Sequence, residues 1–255
     1  MIMRKLDIYS LLFLCLFATC NISCEPEKSE TKNEVQDDSS DDLNHSIEID
    51  TIDDDYVFMP PSPIQIASIL NKANMKYEEG LANNISNAKL YSTKFKQSIN
   101  FGVYACDLAY CVTNDKYEEA SKYLKVSKDL AAKIGMESIF LSDNLVDRFE
   151  ANVGNQDSIM SILFHVQMLT DDYIYDNDLT DLSVIYFTGA WVEGMNIGTH
   201  TMLGNDDHKI SVLLSEQMTI ARSIIRGLRA VKSQSEDLVD LTDHIEEVVN
   251  AYNNL

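Results

Sequence analysis

In the C-terminal three quarters of this 255-residue chain, apolar residues recur every three or four positions, and no run alternates with period two for long. That spacing keeps one face of an α-helix apolar, so it predicts helices rather than strands. Eight are expected, over 63–77, 86–113, 115–134, 138–153, 156–175, 179–203, 207–231 and 235–253. Tyr117, Ala120, Leu124, Ser127, Leu130, Ala131 and Ile134 line one face of the third. Leu238, Leu241, Ile245, Val248 and Val249 do the same in the last. Ser62 and Pro63 suit an N-cap and a first helical position. Gly135, Gly154, Gly204 and Gly227 fall at or near helix ends, where a left-handed cap favours glycine. The fold class is all-α, about eight helices whose short connections imply antiparallel pairs.

Two of these helices are apolar nearly all round, which places them at the centre of the body. One carries GVYACDLAY at 102–110 and the other GAWVEGMNI at 189–197. Gly102 and Gly189, and likewise Tyr104 and Trp191, align at an offset of 87. If that offset marks a duplication, the body divides into halves 62–153 and 156–255. Asn-Asp follows each helix, at 114–115 and 205–206. Gly102, Cys106 and Ala109 form a ridge of small residues, as do Ala190, Gly194 and Gly198. Such ridges let two helix backbones approach closely.

The central helices also carry the candidate chemistry. Asn100 and Asp107 are the strongly polar residues between Ile99 and Val112. In the other helix Glu193, Asn196 and His200 share one face. A structural reading has the acids accepting hydrogen bonds from backbone N–H groups or from hydroxyls of Tyr91, Tyr104, Tyr110, Tyr186 and Thr199. A second reading makes a pocket for a small molecule or ion, with Tyr104 and Trp191 as walls and Asp107, Glu193 and His200 as polar groups. A third is acid–base catalysis, since burial raises a carboxyl pKa. The expectation leans away from an enzyme. There is no Glu-x-x-His pair, HExxH, GxSxG, phosphate loop or Cys-x-x-Cys, so no catalytic set, metal or cofactor is assigned. His165 lies in an apolar run and reads as a core histidine. Cys106 and Cys111 point about 140° apart on one helix and read as small core residues.

The N-terminus changes the picture. Arg4 and Lys5 precede the apolar run LLFLCLFA at 11–18, and cysteines follow at 20 and 24. This is a signal-peptide layout with too short an apolar run to span a bilayer. It resembles the lipobox of bacterial lipoproteins, in which the cysteine becomes the lipidated first residue. Cys20, with Phe17 at −3, is the expected site, and Cys24, after Ser23, is the alternative. An ordinary cleaved secretory signal is the plainer reading. Residues 1–19 are then a signal peptide and 20–57 a lipidated cysteine with a tether. Residues 25–57 hold 13 acids and two lysines. Such a segment cannot bury enough apolar surface to fold, and its like charges extend it. Residues 58–255 form the helical domain. The whole chain carries −21, with no basic stripe, which argues against a nucleic-acid partner.

Tyr104, Ala120 and Leu124 resemble positions of the tetratricopeptide repeat, but Asp107, Leu108 and Cys111 depart from it and no 34-residue period recurs. The lipoprotein signal, acidic arm, PSP start at 61–63, GVYACDLAY, the Y-x-x-A-x-x-Y-L helix at 117–124 and GAWVEG together resemble uncharacterised all-helical lipoproteins of Gram-negative bacteria. That resemblance implies architecture and an outer-membrane location, with no known activity. The expected partners are the membrane, through the lipid, and an envelope protein or peptide.

Overall fold

Local capping chemistry sets several of the helix ends in the structure, a computed structural model that describes residues 76–141, 144–202 and 207–254. Thr93 opens α1 (Lys94–Thr113), its Oγ1 accepting the Lys96 N–H at 3.2 Å. α2 (Tyr117–Ile134) stops at Gly135, whose φ of 93° is left-handed. The short α3 (Ser138–Leu141) and α4 (Leu145–Ala151) follow. Asn155 opens α5 (Gln156–Asp176), accepting the Ser158 N–H at 3.1 Å. α6 (Thr180–Met202) and α7 (Asp207–Ala230) come next, and Ser235 caps α8 (Glu236–Asn253). The described residues are all-helical, with no strand among them.

Several expected boundaries move. Residues 63–75 of the first expected helix lie outside the described residues, as do the N-terminal signal, Cys20, Cys24, the acidic tether and the Asn-Asp at 205–206. The helix expected over 86–113 starts only at Lys94, after a short 3-10 turn at Ile85–Lys89. Asn84 and Thr93 each cap a fresh start there, which a single helix through the region would forbid. The helix expected over 138–153 breaks into α3 and α4, and Asn144 enters α4 at a left-handed φ of 48°. Asn114-Asp115 does end a helix as expected, and Asn177-Asp178 repeats the same turn. Both aspartates sit at φ 58°. Lys116 N–H reaches back to Cys111 O at 2.8 Å, and Leu179 N–H to Ile174 O at 3.0 Å.

Two apolar clusters meet at the central helices. The first gathers side chains of α1, α2, α3, α4, α5 and α6, among them Tyr104, Leu108, Leu124, Phe149 and Ile159. The second gathers α1, α6, α7 and α8, among them Cys106, Tyr110, Trp191, Ile224 and Leu238. Helices α1 and α6 feed both, which explains why their sequences are apolar nearly all round. Val248, assigned above to the buried face of α8, is instead exposed.

The seam between α1 and α6 is set by two glycines. A Cβ on Gly102 would lie 1.6 Å from the Tyr186 carbonyl oxygen, and one on Gly189 would lie 1.9 Å from that of Ile99. Each glycine therefore seats the other helix's backbone. The small-residue approach expected from the sequence is real, but its tightest points are Gly102 and Gly189. The helices run in the same sense. Asp107 and Glu193, each four or five residues beyond the seam, meet; in opposed helices they would lie roughly 15 Å apart along the axis.

Candidate functional site

Asp107 is fully buried on α1, and Glu193 on α6 is 8% exposed. Asp107 Oδ2 accepts the backbone N–H of Asn83 at 3.2 Å. Its Oδ1 is buried with no conventional donor, and the Asp107 carboxyl lies within hydrogen-bonding reach of the Glu193 carboxyl. Glu193 Oε1 accepts from Asn196 Nδ2 at 3.2 Å. Two buried carboxyls in contact are stable only with a proton between them. Burial, and next the Glu193 charge, push the Asp107 carboxyl well above the usual carboxylate range. Burial also raises Glu193, but the amide of Asn196, the hydrogen bond from Asp107 and the nearby His200 pull the other way. The pair therefore shares a proton, held on the Asp107 side and directed at the Glu193 carboxylate.

The Asn83 bond belongs to a wider arrangement. Residues 76–93 run as a strap over α1. Tyr110 Oη accepts the Glu78 N–H at 2.8 Å and donates to Lys76 O at 3.0 Å. Tyr104 Oη donates to Asn84 O at 2.9 Å, and Tyr123 Oη of α2 donates to Asn83 O at 3.1 Å. Tyr77 stacks on Tyr110 with ring centroids 5.5 Å apart, and Lys116 Nζ lies over the Tyr77 ring. A buried tyrosine must satisfy its hydroxyl, and here three do so on the main chain of one segment. Tyr110→Phe removes two of these bonds and should cost about 1–3 kcal/mol. The measurement is amide exchange over residues 76–84, expected to quicken about tenfold or more relative to α2 amides. Unchanged exchange there would show that Tyr110 does not hold the strap.

The other candidate residues separate. His200 is exposed on the last turn of α6, its Nδ1 2.8 Å from Asn196 O, close enough to act on Glu193 through charge. Tyr104 packs in the first cluster and Trp191 in the second, so they do not face each other across one pocket. Trp191 Nε1 donates to Gln217 Oε1 of α7 at 3.1 Å. The Tyr104 and Tyr110 hydroxyls reach backbone carbonyls and not Asp107, Tyr91 Oη accepts from Asn83 Nδ2 at 3.1 Å, and Thr199 Oγ1 donates to Met195 O. Asn83 and Tyr123 were not singled out by sequence. A tyrosine on the buried face of α2 was the available signal, because its hydroxyl needed a partner. Burial raises the thiol pKa of Cys106, and raises that of Cys111 to about 12. Both are free and buried.

A cavity of about 50 Å³ lies elsewhere, between α1, α2, α3, α5 and α6, lined by Phe101, Leu108, Leu124, Phe140 and Leu163. None of the five candidate residues lines it. Ser127 Oγ is buried at its wall without a protein partner. The volume admits water, and one water there would satisfy that hydroxyl. Among the described residues, no group of three or more His, Cys, Asp or Glu is placed to hold a metal ion.

Comparison with protein-family models, curated proteins and solved structures finds no match. The site therefore has to be read from its own geometry. Among the described residues no helix is long and apolar enough to cross a membrane.

Proposed function

We propose that this chain is a lipid-anchored protein of a Gram-negative cell envelope, whose helical body acts by binding another protein and not by catalysis. The observation that carries the second half is the fate of Asp107. Its carboxyl is fully buried and spent on Asn83 and Glu193, so it is not offered to a substrate. The anchor half rests on the N-terminal pattern. A thioether-linked lipid and palmitate-type acyl chain at Cys20, or at Cys24, would hold the chain at the outer membrane. The acidic arm would then stand the body off the surface. A ligand-binding lipoprotein is the second reading. The paired acids favour it in the form of an ion site, with Asp107 and Glu193 as the ligands.

Labelling with an azide-bearing palmitate and partition into detergent test the anchor. The wild-type chain should take up label and enter the detergent phase, and Cys20→Ser should lose both. Loss in Cys24→Ser instead would move the site, and retention in both variants would end the anchor reading. For the body, sedimentation after mild detergent extraction should show a complex larger than the single chain. A lone chain under every extraction condition would end the partner reading.

A further inference from the structure

The outer face of α5 carries an apolar stripe that packing does not use. Phe164 is 65% exposed, Met168 44% and Tyr175 87%. With Asp171 they fall at steps of four, three and four, so they lie along one line of the helix, about 17 Å from end to end. The opposite face of α5 supplies the core, through Ile159, Ile162, Leu163 and Thr170. Single exposed apolar residues are ordinary, but three in one line on one helix, with Asp171 set between Met168 and Tyr175, make a surface that is apolar toward both ends and acidic between. Val239 and Val248, both exposed on α8, are nine residues apart and point to opposite sides.

Charge says what fits. The helix holds Asp157, Asp171, Asp172 and Asp176, and no lysine or arginine. Partial burial raises the Asp171 pKa, the Gln167 amide opposes this, and the neighbouring Asp172 charge adds to it. A cation laid beside these two acids would relieve their repulsion. A second copy of this chain would bring the same acids against them, on a molecule already at −21. An anionic lipid surface would repel them as well. We propose that the α5 stripe docks a basic amphipathic helix of a partner protein about three turns long, with apolar residues on Phe164, Met168 and Tyr175 and lysine or arginine beside Asp171 and Asp172. Ridges at four- and three-residue spacing are the surface such a helix packs against. The inference rests on the protein-binding reading above and is independent of the lipid anchor.

Photo-crosslinking of the full chain in its native cells tests it. Phe164, Met168 or Tyr175 is replaced by p-benzoylphenylalanine, with Val239 and Val248 as control positions. The stripe positions should yield one adduct and the controls none. The crosslinked peptide should come from a different protein, carry net positive charge and show apolar residues three and four apart. Asp171→Lys with Asp172→Lys should cut the yield about tenfold or more, because like charges then oppose across the contact. Its urea midpoint should shift only slightly, since both residues are exposed and the change gives up one surface hydrogen bond, from Gln167 Nε2 to Asp171 Oδ1. No adduct from the stripe, an adduct with a second copy or with lipid, or a yield indifferent to charge reversal would each overturn the proposal. Adducts from Val239 or Val248 alone would keep the protein-binding reading and remove α5 from it.

Discussion

Gly102→Ala is expected to lower the melting temperature by roughly 10 °C, from a destabilisation of about 3 kcal/mol or more. In an ordinary helix interior the same change gains about 1 kcal/mol through helix propensity. Here the added carbon falls 1.6 Å from the Tyr186 carbonyl oxygen, and backbone cannot swing aside as a side-chain tip can. Helices α1 and α6 must part along their seam, and both apolar clusters draw on those helices. Gly189→Ala meets the Ile99 carbonyl oxygen at 1.9 Å and should cost a similar amount. Together the two changes should cost less than their sum, because one separation of the helices relieves both clashes. Thermal and urea melts of the two single variants and the double variant check this. Unaltered melting of Gly102→Ala would mean that the seam is wider than described.

The central seam was legible because it is a local property of two segments. Each is apolar nearly all round and carries small residues, and no exposed helix keeps such a composition. The meeting of Asp107 with Glu193 was legible for the same reason, since parallel helices joined at Gly102 and Gly189 keep nearly equal offsets. The same geometry explains the failure of the Tyr104 and Trp191 pocket. Each aromatic lies two residues past its glycine, about 200° around the helix, and so points away from the seam on opposite sides. His200 shared a face with Glu193, but that face runs out to solvent at the end of α6. The strap was not legible. Ala88, Lys89 and Leu90 favour helix, but the chain just before them is held by bonds from Asp107, Tyr104, Tyr110 and Tyr123 to residues 76–84, up to 40 residues away. Propensity is a weak prior beside such tertiary bonds.

Asp107→Asn is expected to stabilise the protein at neutral pH by about 2 kcal/mol, and to make little difference near pH 4. Asparagine keeps both bonds: its oxygen accepts the Asn83 N–H and its amide donates to the Glu193 carboxylate. It lacks the acid. Asp107 and Glu193 both titrate above their ordinary values of 3.8 and 4.5 in the folded chain. Between those values and the raised ones, the folded state binds more protons than the unfolded state. Stability therefore falls as pH rises from about 4 through the raised pKa values, by up to about 1.4 kcal/mol per pH unit for each such proton. Above them the penalty is complete and constant. Asp107→Asn removes the larger share, so its urea midpoint should vary less with pH than that of the wild type. Asp107→Ala is expected to lose about 3 kcal/mol, since the Asn83 N–H loses its acceptor and Glu193 a donor. Urea melts of the three proteins from pH 4 to pH 9 measure these differences. The asparagine variant also separates the two readings of the paired acids. If the pair held a cation, Asp107→Asn would remove a ligand and destabilise the protein at neutral pH, most of all with the divalent ion present. A shared proton instead leaves the variant more stable than the wild type, with or without added ion, because the amide supplies permanently the hydrogen that Asp107 must otherwise take from water.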